Sequence, residues 1–237
     1  STTSSEITDL ETSCPISKDR MDYEIGQLVS KSVISEEVVD IFAAAGLDKP
    51  DLSILSDEFL EEIRNLPQKN LALELMRRLL NGRIRYIAEK NVVQAKKFSE
   101  MLEASVIQYQ KRSLETAEVI QALVDMARDM NELSKRGEQL GLSDDELAFY
   151  DAISSNESAR EFYENEVLKQ IARELTISVK KNIKVDWNIR ESVRAQMRIT
   201  IKRLLRKYKY PPDKQAAAVD LIMEQAEKMC ENEVNEI

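Results

Sequence analysis

The stretch VIQALVDMARDMNEL, residues 119–133, places Val119, Leu123, Met126, Met130 and Leu133 at intervals of four, three, four and three. Side chains so spaced return to one face of a helix with 3.6 residues per turn, so the segment predicts an amphipathic α-helix. Gly137 and Gly141 are expected to close it, since glycine is the usual residue at a helix C-terminus.

The same period continues on both sides. Downstream, Ser143 and Glu146 form a capping box ahead of Leu147, Phe149 and Tyr150. Asn156 and Asn165 read as two further caps, and Leu168, Ile171, Leu175 and Val179 share a face. Asp186 is expected to cap a helix that starts near Trp187 and runs to about Tyr210, with Trp187 in a core or staple role. Pro211-Pro212 breaks that helix, and a last one covers about 213–234. Upstream, Ala95, Phe98, Leu102, Val106 and Tyr109 lie on a run that ends near Arg112, and Asn81-Gly82 is expected to break the chain before it. Leu71, Leu75, Met76, Leu79 and Leu80 form the preceding apolar face, opened by Pro67. Ser56 caps a short helix with Asp57 and Glu58 in its first turn, and Ser35 caps another that ends at Gly46. Met101, Met126, Met130 and Met197 fall on apolar faces as core filler.

No stretch alternates with period two; Ile183–Val185 comes nearest to a strand. Gly and Pro occur five times each in 237 residues, against usual shares of about 7% and 5%. The expected fold class is therefore all-α, an irregular bundle of roughly eight to ten helices, several of them long. Residues 1–20 have no periodicity and read as a mobile leader. Residues 21–237 read as one helical domain: a first helix and connector (21–55), central helices (56–155), helices that include a basic one (156–210) and a terminal helix (211–237).

Several chemistries are excluded by composition. There is no histidine, so a Ser-His-Asp triad, a Cys-His pair or a histidine metal site cannot be built. No glycine precedes a lysine, which removes the phosphate-cradling Walker loop, and no GxGxxG exists. No lysine has Asp or Glu two positions before it, so the acid-x-lysine element of many nucleases is missing. Asp144, Asp145 and Glu146 cluster, but at a helix start, where acids suit the positive end of the dipole. Cys14 and Cys230 have no metal-ligand spacing and read as free thiols of a reducing compartment. Without a long apolar run or a signal core, a cytoplasmic location and no membrane partner are expected.

Charge is distributed unevenly. Residues 180–209 hold eleven bases and two acids, an excess of nine positive charges in a chain of net −9, so the remainder carries −18. Ile189, Val193, Met197, Ile201, Leu204 and Tyr208 form a spiralling apolar stripe. Arg190, Arg194, Arg198, Lys202 and Arg206 follow it one residue later, and Arg203, Lys207 and Lys209 add to the ridge. Three readings stay open: a solvated face paired with the protein's own acids, a track for DNA phosphates, and a docking surface for an acidic protein. Arg190, Arg194, Arg198, Lys202, Arg203, Arg206, Lys207 and Lys209 are the candidate binding residues. No catalytic or metal-ligating residue is expected.

Four strings occur together: VVDIFAAAGLDKPDLSILSDEFL (38–60), KNVVQAKKFSEMLE (90–103), LSDDELAFYDAI (142–153) and VDWNIRESVRAQMRITIKRLLRKYKYPPDKQ (185–215). In order and spacing they resemble the C-terminal helical region of the motor (restriction) subunit of type I restriction–modification enzymes. The resemblance covers roughly residues 24–215, with nothing in residues 1–20 and little in the final helix. It implies a piece of a larger subunit whose endonuclease and two translocase domains lie upstream, with ATP and Mg²⁺ belonging to those domains and no cofactor in these residues. It further implies docking onto the methyltransferase core of modification and specificity subunits, packing against the upstream motor domains, and contact of the basic helix with either duplex DNA backbone or protein. Apart from the resemblance, a stand-alone helical DNA-binding or protein-interaction module unrelated to restriction is the alternative.

Overall fold

The computed structural model describes residues 55–183 and 191–235. The expectations for residues 1–20, for the helix at 35–46, for Cys14, for the Asp186 cap with Trp187, and for Ile189 and Arg190 lie outside the described residues. Those described form nine helices and no strand: α1 (Asp57–Arg64), α2 (Lys69–Ala88), α3 (Val92–Gln110), α4 (Thr116–Leu140), α5 (Asp144–Ser154), α6 (Glu157–Phe162), α7 (Asn165–Asn182), α8 (Glu191–Lys207) and α9 (Gln215–Asn235). None of these helices is long and apolar enough to cross a membrane.

The apolar faces collect into two cores. In the first, α1 to α4 enclose Leu60, Ile63, Leu75, Met76, Leu79, Leu80, Phe98, Leu102, Ile120 and Leu123. In the second, α5 is wrapped by α7 and α9, and α8 lies across α7 and α9. Every residue of α5 from Leu147 to Ser154 is buried. A helix apolar around most of its circumference must sit at a centre, and α5 touches α3, α6, α7 and α9.

Helix ends follow local chemistry closely. Ser56 accepts from the Phe59 amide at 3.2 Å, and Ser143 and Glu146 form the expected capping box. A second box, Glu115 with Glu118, opens α4. At the end of α4 the Leu142 amide donates to the Gly137 carbonyl at 2.9 Å and the Gly141 amide to Glu138 at 3.2 Å, with Gly141 at φ 67°. These are the paired bonds of a Schellman ending. Gly137 therefore does not close the helix as expected. It lies one turn inside, where an added Cβ would stand 3.1 Å from the Leu142 carbonyl oxygen. The end of α8 has the same geometry with Lys209 in glycine's place: φ 57°, Tyr210 donating to Leu205 at 2.9 Å and Lys209 to Arg206 at 3.0 Å.

Two further expectations are corrected. Asn81-Gly82 does not interrupt α2, which runs on to Ala88. One glycine costs a helix about 1 kcal/mol, and burial of Leu79, Leu80 and Ile87 on either side of it outweighs that. The break comes at Glu89–Asn91, where Asn91 caps α3 by accepting from the Gln94 amide at 3.1 Å. Asn165 is no cap, since Glu164 holds that position. The Asn165 side chain instead accepts from Tyr150 Oη at 2.8 Å. Ile183, where the sequence came nearest to a strand, is the C-cap of α7, in keeping with the expected all-α fold.

The two cores are joined by a polar seam around the Glu89–Asn91 connector. Asn91 Nδ2 donates to Asp151 Oδ2 at 2.8 Å, and Arg136 Nη1 meets Asp151 Oδ1 at 2.6 Å. From α9, Gln225 accepts from the Val92 amide at 2.9 Å and donates to the Lys90 carbonyl at 3.0 Å. Asn232 donates to the Glu89 carbonyl at 2.6 Å, and Lys228 pairs with the Glu89 carboxylate at 3.1 Å. Gln225, Lys228 and Asn232 are three and four residues apart, so one face of α9 satisfies backbone groups that a helix break leaves open. Lys96 of α3 adds an ion pair to Glu224.

Candidate interaction surface

Successive residues of α8 turn by about 100°, which sorts its cations into three directions. Met197, Ile201, Leu204 and Leu205 point into the second core, with Val193 and Tyr208 half-buried beside them. On one flank, Arg194 pairs with Glu227 and Arg198 with Asp220 at 2.9 Å, both acids belonging to α9. On the other flank, Lys207 pairs with Glu174 of α7 at 3.0 Å. Lys202, Arg203 and Arg206 are exposed and point outward, and among the described residues they make no ion pair; exposed Lys209 follows at the helix end. Arg190 lies outside the described residues.

The ridge read as one feature in sequence is therefore two. Arg194, Arg198 and Lys207 stitch α8 to its neighbours, while Lys202, Arg203, Arg206 and Lys209 remain for something outside. On the same face, one turn before Lys202, stands Ile199, 50% exposed. Nothing in the periodicity marked it, because the apolar stripe was drawn through the residues at core spacing.

The stitched flank has a measurable electrostatic signature. Tyr208 Oη donates to the Glu174 carboxylate, which also receives Lys207 Nζ. The Tyr208 hydrogen bond, and after it that of Lys207, holds the Glu174 carboxyl below its usual range. Burial, and then the Glu174 charge, pushes Tyr208 up to about 12; burial pushes Tyr210 to about 12 as well. Both shifts favour the neutral phenol in the folded state. Their contribution is whole below the ordinary tyrosine value of about 10 and is lost as pH rises towards 12. In a spectrophotometric titration of the seven tyrosines, two are expected to ionise near pH 12. Tyr208→Phe should remove one of them. Ionisation of Tyr208 and Tyr210 near the ordinary value of about 10 would contradict the placement of both rings.

Beside the end of α8 lies an aromatic group from α6 and the turn after it. Tyr163 Oη donates to the Tyr208 carbonyl at 2.6 Å. The Tyr163 ring stacks on Tyr210 at 6.2 Å and meets Phe162 edge-on at 4.9 Å. Phe162 itself is 63% exposed. Among the described residues no three His, Cys, Asp or Glu side chains are grouped so as to hold a metal ion.

Comparison with known proteins adds a second kind of evidence. A family model described as "Type I restriction enzyme HindI endonuclease subunit-like, C-terminal" matches residues 5–232. The chain is 39% identical over 206 residues to the type I restriction enzyme HindI endonuclease subunit of Haemophilus influenzae, covering 87% of this chain and 20% of that protein. It is 35% identical over 193 residues to the provisionally named type I restriction enzyme MjaIXP endonuclease subunit of Methanocaldococcus jannaschii, covering 81% of this chain and 18% of that one. The chain thus spans about a fifth of the length of these curated relatives. No solved structure matches it significantly. The family match reaches well beyond residues 24–215, taking in most of the first twenty residues, where no resemblance is read, and nearly all of α9, where little is.

Proposed function

This chain belongs to the family of C-terminal regions of type I restriction enzyme endonuclease subunits, and from that premise we propose that it is a non-catalytic assembly module. Its task is to dock the ATP-dependent translocase and endonuclease subunit onto the methyltransferase core of modification and specificity subunits, in the cytoplasm. ATP and Mg²⁺ serve the upstream domains, and these residues hold neither. Family membership sets aside a module unrelated to restriction.

One observation carries the docking reading: the outward face of α8 combines unpaired Lys202, Arg203 and Arg206 with the exposed Ile199. A phosphate track has no use for an exposed aliphatic side chain on its face, whereas protein interfaces combine apolar contact with arginine. Three of the described candidate cations are already engaged by Glu174, Asp220 and Glu227, which leaves a short ridge for DNA. The seam and the double core support the same reading, because a docking module must transmit force as a rigid body.

The test is the affinity of the chain for the purified modification–specificity complex of its own system. Lys202→Glu, Arg203→Glu and Arg206→Glu together should lower it at least about tenfold, mostly through slower association, since exposed charges steer encounter. The pair Arg194→Gln and Arg198→Gln should leave affinity within a few-fold. No binding by the wild-type chain, or equal binding by the triple variant, defeats the reading. Duplex binding with a log–log salt slope near −3.6, about 0.9 for each of four phosphates, would turn the ridge over to DNA.

A further inference from the structure

We propose that Phe162 is the aromatic anchor of this docking surface, and that the partner offers an apolar pocket edged with carboxylates. The inference rests on the docking reading above. Phe162 is the most exposed of the large apolar side chains described, at 63%. An isolated exposed phenylalanine needs no explanation, but this one is held at the end of the cationic ridge. It ends a six-residue helix whose start is fixed by Asn156, which accepts from the Ser158 amide at 3.0 Å. Its ring packs edge-on against Tyr163, and Tyr163 is fastened twice to the end of α8, by the hydrogen bond to the Tyr208 carbonyl and by the stack on Tyr210. Tyr210 is itself anchored in the second core, its hydroxyl donating to the Ile153 carbonyl at 2.8 Å.

The chain Ile153–Tyr210–Tyr163–Phe162 is thus a bracket that holds an apolar ring in solvent near the end of α8, where Lys209 follows the helix. Rigid aromatics lose little conformational entropy on binding, and residues of this kind set among arginines carry much of the energy of protein interfaces. The exposed Lys202, Arg203, Arg206 and Lys209 favour anionic groups around the pocket, and Ile199 lies on the same face of α8 at the other end of the ridge. A base of single-stranded nucleic acid could also stack on a phenyl ring, but Ile199 offers such a strand nothing. The observations favour a protein.

The experiment measures binding of the chain and its Phe162→Ala, Phe162→Leu and Tyr163→Phe variants to the purified modification–specificity complex, with thermal stability recorded for each. Phe162→Ala should lose at least about tenfold in affinity, chiefly as faster dissociation, and keep its melting temperature because the ring is exposed. Phe162→Leu should lie between it and wild type. Tyr163→Phe removes the hydrogen bond that fixes the bracket and should weaken binding less than Phe162→Ala does. If wild type binds and the triple reversal of Lys202, Arg203 and Arg206 weakens it while Phe162→Ala does not, the anchor is wrong and the docking reading stands. If wild type does not bind, both are wrong. Weaker binding of Phe162→Ala to a single-stranded oligonucleotide, with the protein complex unaffected, would overturn the choice of a protein pocket.

Discussion

Replacing Asp151 with alanine is expected to destabilise the fold by about 3 kcal/mol or more, the lower part of the range for removing one partner of a buried ion pair. Asp151 is 3% exposed and is the point where three helices and a connector meet. One oxygen receives Arg136 at 2.6 Å from α4, and the other receives Asn91 at 2.8 Å from the start of α3. Alanine leaves the Asn91 amide without an acceptor inside the seam, and an unsatisfied buried donor costs about 1–3 kcal/mol by itself. Arg136 is about one-third exposed and can turn to water, which keeps the loss at the lower part of the range. Asp151→Asn keeps an oxygen for Asn91 without the charge and should fall between. Urea unfolding followed by circular dichroism measures the difference. In a chain of this size the melting temperature should drop by on the order of 10 °C. A loss under about 1 kcal/mol would mean that the seam does not join the cores as described.

Phe149→Ala should cost about as much again, roughly 3–5 kcal/mol, by a different route. Phe149 is fully buried on α5 and belongs to the cluster formed with α7, α8 and α9. Truncation removes the transfer free energy of the ring and leaves a cavity that the rest of the second core fills only in part. Phe149→Leu, which restores much of the volume, should recover more than half of the loss. Phe162→Ala supplies the comparison, with an expected change within about 0.5 kcal/mol because its ring lies in solvent. The same substitution at two phenylalanines thirteen residues apart then separates a core position from an exposed one. Equal losses at both would place Phe162 in the core.

Both variants act on α5, and their sizes bear on function. Under the proposed docking role, the module must not yield between its halves. The two apolar cores alone could slide along their boundary, because apolar contact is non-directional. The hydrogen bonds of Asp151, Gln225 and Asn232 have one geometry each, so they fix the angle between the halves.

What the chain's own periodicity determined is the helical architecture. Intervals such as those of Val119, Leu123, Met126, Met130 and Leu133 state which face is buried, and the Ser56 and Ser143 caps state where helices begin, because helix geometry relates only residues three or four apart. The family resemblance was also legible, through long strings that need no folding to be compared. Tertiary structure alone decided the rest. It carried α2 through Asn81-Gly82, because burial on both sides exceeds what one glycine costs. It divided the cations of α8 into those that pair with Glu174, Asp220 and Glu227 and those left outward, and it brought Phe162 to the end of that ridge. Asp151 meets Asn91 across 60 residues and Gln225 meets Val92 across 133. Pairings at such separations leave no trace in local spacing, since charge and hydrogen-bonding capacity are properties of a residue, and a partner is a property of the fold.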